Sequence, residues 1–267
     1  GGGRGGARRG GGLPARVLRV GRGGRGGPAG PGPPPAVPTE DRPAGDEPPT
    51  RAGLAALVDH TILRPEATTA EVESVVAYAA SVGCASVCVQ PVMVRYAVEM
   101  VGGRIPVCSV VGFPHGASLS ASKAGEAEAV VALGATEVDV VADLAAAADG
   151  DVVAVAADVA EVRAAVPDVV LKVILESALW EPAVLRQLSE AVVNVGADFV
   201  KTSTGFHPAG GASEAAVRTM RDAVGSRARV KASGGIRTTA QALAMVAAGA
   251  DRLGLSATAD VLAGLPA

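Results

Sequence analysis

Residues 200–205 read VKTSTG and residues 230–235 read VKASGG, so one arrangement occurs twice, thirty positions apart: an apolar run carrying a lysine, followed at once by small hydroxyl residues and glycine. Lysine is scarce in this chain, with Lys123, Lys172, Lys201 and Lys231 its only four against twenty arginines. The two cations do different chemistry. Arginine holds anions and keeps its proton, whereas a lysine amine can be shifted toward neutrality and act as a nucleophile. If Lys201 and Lys231 come from neighbouring strands, each ammonium disfavours the other, and with partial desolvation one amine moves from about 10.4 toward about 7. A free amine beside a proton relay is what imine formation with a carbonyl compound requires.

Such groups need rigid elements to hold them. From residue 54 onward a short Val/Ile/Leu-rich run, a polar break and an Ala-rich amphipathic stretch recur, giving eight strand candidates at 57–63, 85–91, 107–114, 137–143, 170–176, 199–205, 229–235 and 252–257. Between them, Thr68 with Glu71 and Thr238 with Gln241 have capping-box spacing, and Pro182 suits a first helical position. Gly83, Gly134, Gly196 and Gly249 fall where helices should end. Eight strands alternating with helices is the arithmetic of an α/β fold of the (β/α)8 TIM-barrel type over residues 51–267. The alternative, a doubly wound open sheet, lacks the GxGxxG fingerprint after its first strand. It also leaves Asp59, Asp139, Lys172, Lys201 and Lys231, all inside strands, facing covering helices, whereas a barrel turns all five into one interior. Buried charges cost several kcal/mol each unless paired, so two aspartates and three lysines converging there are paired or functional.

Composition removes other readings. Residues 1–50 are Gly, Pro and Arg with few large apolar side chains and are expected to form a disordered extension. They hold eight arginines and four acidic residues, a net +4, which leaves −7 for residues 51–267 out of the total of −3. A net acidic folded part argues against a nucleic-acid partner, and the tail's arginines lack interleaved aromatics for base stacking. Residues 74–94 carry no charge and are long enough for a bilayer, but Gly83, Gln90 and Pro91 divide them into a helix, a turn and a short strand, so no membrane span is expected. The tail also lacks the apolar stretch of a secretory signal, and Cys84, Cys88 and Cys108 are odd in number without a CxxC pair. Reduced, buried thiols in a cytoplasmic protein are expected, the alternative for Cys88 being a reactive thiol near a strand end. His60, His115 and His207 occupy three separate regions with no HxH or HExxH motif, so no metal is expected. Lys123 is expected on a helix, in a solvated ion pair with Glu126.

The segments VDHTILRPEATTAEV, VVGFP, EAEAVVALGATEVDVV, LKVILE, ADFVKTSTGF, VKASGGIRTTAQAL and DRLGLSA, in that order over residues 54–265, together resemble the deoxyribose-phosphate aldolase family, class I aldolases on a (β/α)8 barrel. The resemblance implies that Lys201 forms the Schiff base with open-chain 2-deoxyribose 5-phosphate, that Lys231 tunes it and moves protons, and that Asp139 is the acid/base carboxylate. Lys172 and Asp59 match the supporting pair, although a plain buried ion-pair role for Lys172 is the alternative. Gly205, Gly234, Gly235, Gly254 and Ser256 match the phosphate site, where the SGGIR amides run into a helix N-terminus. No cofactor is implied, the partner is a phosphorylated sugar, and a homodimer is expected. Two further readings are another imine-forming barrel with a different aldehyde or keto substrate, and a non-catalytic barrel scaffold. Four departures stand out: Leu255 where a small residue is usual, ESALW after strand five, the loop FHPAGG at 206–211, and an end LAGLPA without the tyrosine some members use.

Overall fold

The computed structural model describes residues 1–2 and 50–266, and the expected disordered extension lies outside the described residues except for Gly1, Gly2 and Thr50. Eight parallel strands close into a barrel in sequence order: β1 (Val58–Ile62), β2 (Ser86–Val89), β3 (Val107–Val111), β4 (Glu137–Val141), β5 (Val170–Ile174), β6 (Phe199–Lys201), β7 (Arg229–Ser233) and β8 (Arg252–Leu255). Around them run α1 (Arg51–Ala55), α2 (Thr69–Val82), α3 (Val94–Val101), α4 (Ser120–Ala132), α5 (Leu144–Ala148), α6 (Val152–Ala165), α7 (Pro182–Asn194), α8 (Glu214–Val224), α9 (Thr239–Ala248) and α10 (Thr258–Ala263). Every strand lies within its expected segment.

The local signals act as physical chemistry requires. Thr68 and Thr238 each accept from the backbone amide three residues on, while Glu71 and Gln241 return bonds to the capping amides. Pro182 opens α7, where its missing N–H is not needed. The uncharged stretch 74–94 divides into the end of α2, strand β2 and a turn at Pro91–Met93. Among the described residues no helix is long and apolar enough to cross a membrane.

The period-two alternation of the strands sorts side chains into two environments. Val58, Val87, Val138, Val173, Val200, Val230 and Leu253 point outward and pack with Val72, Val159, Leu188 and Val217 of the helices in one large apolar cluster. Each such burial contributes roughly 1.5–3 kcal/mol. Inside the barrel, Leu63, Cys88, Cys108 and Val110 form a second, small apolar cluster, with Phe113 against it. Beside it the interior carries Phe199, Ile174 and Ser86 and a group of charged side chains.

Lys123 departs from expectation. It is 0% exposed, and its Nζ lies 2.7 Å from Asp158 Oδ2 on α6 instead of pairing with Glu126 in water. Glu126 instead accepts from the amide of Gly112, against which the Lys123 chain lies so closely that a Cβ there would come within 3.2 Å of its Cε and Cγ. The lysine-bearing face of α4 meets α6, so the pair ties two neighbouring helices. Spacing along one helix cannot reveal a partner 35 residues away.

Candidate active site

Three strands of the barrel bring the lysines together. Register sets Asp139 on β4 beside Lys172 on β5, and Lys201 on β6 beside Lys231 on β7. Asp139 is the hub: its Oδ2 accepts from Lys201 Nζ at 2.6 Å and from Lys231 Nζ at 2.7 Å, and its Oδ1 accepts from Lys172 Nζ at 2.8 Å. Lys231 also donates to Asp59 Oδ2, and Asp59 Oδ1 accepts from Ser86 Oγ at 2.7 Å. All five ionisable residues expected in the interior are therefore in one connected cluster.

The electrostatics follow from this pairing. Burial alone pushes the Asp139 carboxyl up, but Lys172, Lys201 and Lys231 outweigh it and hold the group well below the usual carboxylate range. Burial acts the same way on Asp59, and Lys231, Lys172 and Arg252 likewise overcome it. For Lys231 burial favours the neutral amine, yet Asp139 and Asp59 reverse the sign and its pKa stands above the ordinary lysine value. Lys172 is raised in the same manner, burial being overcome first by Asp139. Lys201 and Lys231 do come from neighbouring strands, and a carboxylate oxygen of Asp139 lies between their nitrogens.

Above this cluster opens a cleft of about 310 Å³, lined by Thr61, Arg64, Lys201, Thr204, Phe206, Ser233 and Arg237, together with all five residues expected at the phosphate end, Gly205, Gly234, Gly235, Gly254 and Ser256. Lys201 is the only lysine in that lining; Lys172 and Lys231 are 0% exposed beneath it. Two glycines are needed for shape. Gly234 has φ +86°, and a Cβ there would come within 3.0 Å of the Gly211 Cα. A Cβ on Gly254 would fall 2.8 Å from that of Ser233 and 3.3 Å from Lys231 Cε. The two lysine segments are stitched together as well, since Thr202 Oγ1 accepts from the Ser233 amide at 3.0 Å and Ser233 Oγ donates to the Ser203 carbonyl at 2.5 Å.

Three of the sequence departures have a place in this geometry. Leu255 is buried in the outer apolar cluster and is absent from the cleft lining, because inward-facing Gly254 turns its neighbour toward the helices. In the loop 206–211, Phe206 meets Phe113 edge-on at 5.1 Å, and Gly211 lies so near Gly234 that a Cβ would be 2.1 Å from its carbonyl oxygen. After β5, Glu176 adopts a left-handed φ of +51° and its buried carboxylate accepts from Thr204 Oγ1 at 2.6 Å, bracing the chain just beyond Lys201. The bonds to Thr204 hold this non-glycine residue in its left-handed conformation. Sequence reading did not single out Glu176, nor Glu137 and Arg252, both ion-paired within the cluster.

The remaining candidates for other chemistry separate. His60 is buried away from the lysines, its Nδ1 near Thr258 Oγ1 at 2.8 Å, and burial pushes its pKa down. His207 accepts from the Ala209 amide at 3.1 Å within its own loop. Among the described residues only Cys88, Cys108 and Asp139 come together as potential metal ligands. Three ammonium groups already occupy Asp139, so a cation would have to displace them, and the donor set does not suit a resident metal. Cys108 donates to Asp139 Oδ1 at 3.1 Å, and burial raises its pKa well above a normal thiol. Cys84, on the outer face, is pushed up by burial to about 12.

An amine at the floor of a glycine-walled cleft, hydrogen-bonded to a carboxylate that a second, buried lysine also contacts, is equipped to form and protonate an imine of a carbonyl compound. Comparison with known proteins points the same way. The DeoC/LacD family aldolase profile matches residues 54–264. Over 221 residues the chain is 57% identical to a deoxyribose-phosphate aldolase of Mycobacterium avium, covering 81% of this chain and 99% of that protein. The corresponding protein of Mycobacterium tuberculosis, also named deoxyribose-phosphate aldolase, is 54% identical over 81% of this chain and 98% of its own length. The tetrameric deoxyribose phosphate aldolase of Aeropyrum pernix superposes with a TM-score of 0.74 at 36% identity, over 80% of this chain and 92% of that one. With the profile spanning nearly all of the barrel and relatives this similar over almost their full length, the chain belongs to the DeoC/LacD family of aldolases.

Proposed function

We propose that the protein cleaves 2-deoxy-D-ribose 5-phosphate to D-glyceraldehyde 3-phosphate and acetaldehyde through a Schiff base on Lys201. The observation that carries this reading is the cleft itself, with one lysine among its lining residues and a glycine-rich, helix-capped end shaped for a dianion. The free amine of Lys201 adds to the C1 aldehyde of the open-chain sugar, and loss of water leaves an iminium. Asp139, 2.6 Å from the same nitrogen, takes up the C3 hydroxyl proton through a water as the C2–C3 bond breaks. The electron pair of that bond enters the iminium as an enamine, so lysine chemistry supplies the electron sink that a metal or organic cofactor supplies elsewhere. Protonation of the enamine carbon, in which Lys231 and Asp139 take part, and hydrolysis release acetaldehyde and restore the amine. Lys172 and Asp59 keep Asp139 and Lys231 ionised and in register.

At the other end, the amides of Gly234 and Gly235 with Gly205, Gly254 and Ser256 bind the phosphate. Steady-state kinetics tests this assignment. Gly234→Ala adds strain of about 1–2 kcal/mol at a positive φ and should raise KM for deoxyribose 5-phosphate at least about tenfold. The kcat/KM for unphosphorylated deoxyribose should change little. Equal losses on both sugars would overturn the phosphate assignment. The family resemblance also supports a cytoplasmic homodimer, and light scattering of the purified protein distinguishes this from the tetramer described for the Aeropyrum pernix relative.

A further inference from the structure

The ion-paired cluster does not stop at the five residues described above. Lys172 Nζ lies 2.6 Å from Glu137 Oε2, and Arg252 Nη1 lies 2.7 Å from Asp59 Oδ1 and 3.5 Å from Glu137 Oε1. Glu137 opens β4 and Arg252 opens β8, so both enter from the N-terminal end of the barrel, opposite the cleft. Neither lines the cleft, and both are largely buried, Glu137 at 5% exposure. Phe199 closes this floor, with the Arg252 guanidinium 5.5 Å and that of Arg229 4.4 Å from its ring centre. Barrel enzymes of this architecture place catalytic groups at the C-terminal ends of their strands, and a structural salt bridge at the other end needs no link to them. Here the link is continuous. From Arg252 a path runs through Asp59 to Lys231, and from Glu137 through Lys172 to Asp139, and both end on the carboxylate that holds Lys201.

We propose that Glu137 and Arg252 form an electrostatic floor that sets, with opposite signs, how tightly the cluster holds the proton of Lys201. They are positioning residues that act through Asp139, and the proposal rests on the imine-forming role of Lys201 given above. Three carboxylates, Asp59, Glu137 and Asp139, face four paired cations, Lys172, Lys201, Lys231 and Arg252, so the network carries one excess positive charge. Loss of Glu137 frees Lys172 to draw more strongly on Asp139, which then holds the Lys201 ammonium less. Loss of Arg252 leaves Asp59 to draw on Lys231 and Lys172, which releases Asp139 toward Lys201. The first change favours the free amine and the second the ammonium. Other titratable and charged groups around Lys201 are unaltered by either change: the thiols of Cys88 and Cys108 on β2 and β3, Glu176 beyond β5, Arg64 and Arg237 at the cleft, and Arg229 on the floor.

The test compares the pH dependence of kcat/KM for deoxyribose 5-phosphate in the wild-type protein with that of Glu137→Gln, Arg252→Gln, Arg252→Lys and the Glu137→Gln/Arg252→Gln double variant. The acid limb reports Lys201 losing its proton. It should move down by about one pH unit in Glu137→Gln and up by about one in Arg252→Gln, the scale of a unit charge acting across a partly buried site. Arg252→Lys and the double variant should lie near wild type, since each keeps the excess charge. Shifts of the same sign, or reduced activity with an unmoved limb, would overturn the proposal. If Arg252→Gln does not fold, the direction in Glu137→Gln alone decides. Borohydride trapping of acetaldehyde on wild-type Lys201 is run alongside: adduct with no opposite shifts rejects the floor alone, and absence of adduct rejects the imine reading beneath it.

Discussion

At the scale of single residues, the account turns on which lysine is nucleophile and which is not. Lys201 faces the cleft, while Lys231 lies beneath it between two carboxylates and holds its proton. Replacing Lys231 by leucine should leave Asp139 with one competitor fewer for the Lys201 ammonium. The acid limb of kcat/KM should then move to higher pH, and turnover should fall about 10²–10⁴-fold, the scale of a lost proton-transfer group; an unchanged pH profile would count against the tuning role. These five positions were legible in the sequence because charge inside an apolar, alternating run has few explanations. Glu137 and Arg252 were not, because each is the first residue of its strand, where a charged side chain reads as the polar boundary of a run. What Leu255 does was not legible either, because only the closed barrel shows that its neighbour Gly254 takes the inward place and turns the leucine toward the helices.

At the scale of elements, the strands were easier to read than the contacts between helices. A strand's environment repeats every two residues and shows in its own sequence, whereas a helix face is buried by whatever element folds against it. Lys123 illustrates this, with a partner on α6 that no local spacing points to. Removing one partner of a buried ion pair costs about 3–5 kcal/mol, because the other charge is left uncompensated. Lys123→Met should therefore lower the denaturation free energy by about that amount while leaving kcat within a factor of about two, and Lys123→Met/Asp158→Leu should recover most of the loss. Urea denaturation followed by circular dichroism measures both. A single variant as stable as wild type would mean that the helix pair does not depend on this bridge. The loops after β6 and β7 form another such unit, since Gly205, Gly211 and Gly234 approach one another backbone to backbone. The sequence displayed their glycines, and only the closed barrel explains why they must be so close.

For the whole molecule, the ionic interior couples stability to pH in a direction that can be worked out. Asp59 and Asp139 have folded-state values below their unfolded value of about 3.9, so their contribution is complete above that pH and is lost as pH falls below about 4. Lys172 and Lys231 have folded-state values above their unfolded value of about 10.4, so their contribution is complete below that pH and is lost only as pH rises through the higher folded values. Thermal melting across pH should accordingly show a plateau between about pH 5 and pH 10, with a fall on each side. A melting temperature that climbed steadily across this range would contradict the ion-paired interior. The ion pairs that tie stability to pH are the same ones that hold the proposed proton relay in place.

Lys201 is the amine proposed to bond the substrate, and trapping tests this directly. Incubating the protein with acetaldehyde or deoxyribose 5-phosphate, reducing with borohydride and mapping peptides by mass spectrometry should yield a single adduct, on the peptide containing Lys201. That adduct should vanish in Lys201→Leu. Absence of an adduct in the wild-type protein, or one that persists in Lys201→Leu, would contradict the mechanism.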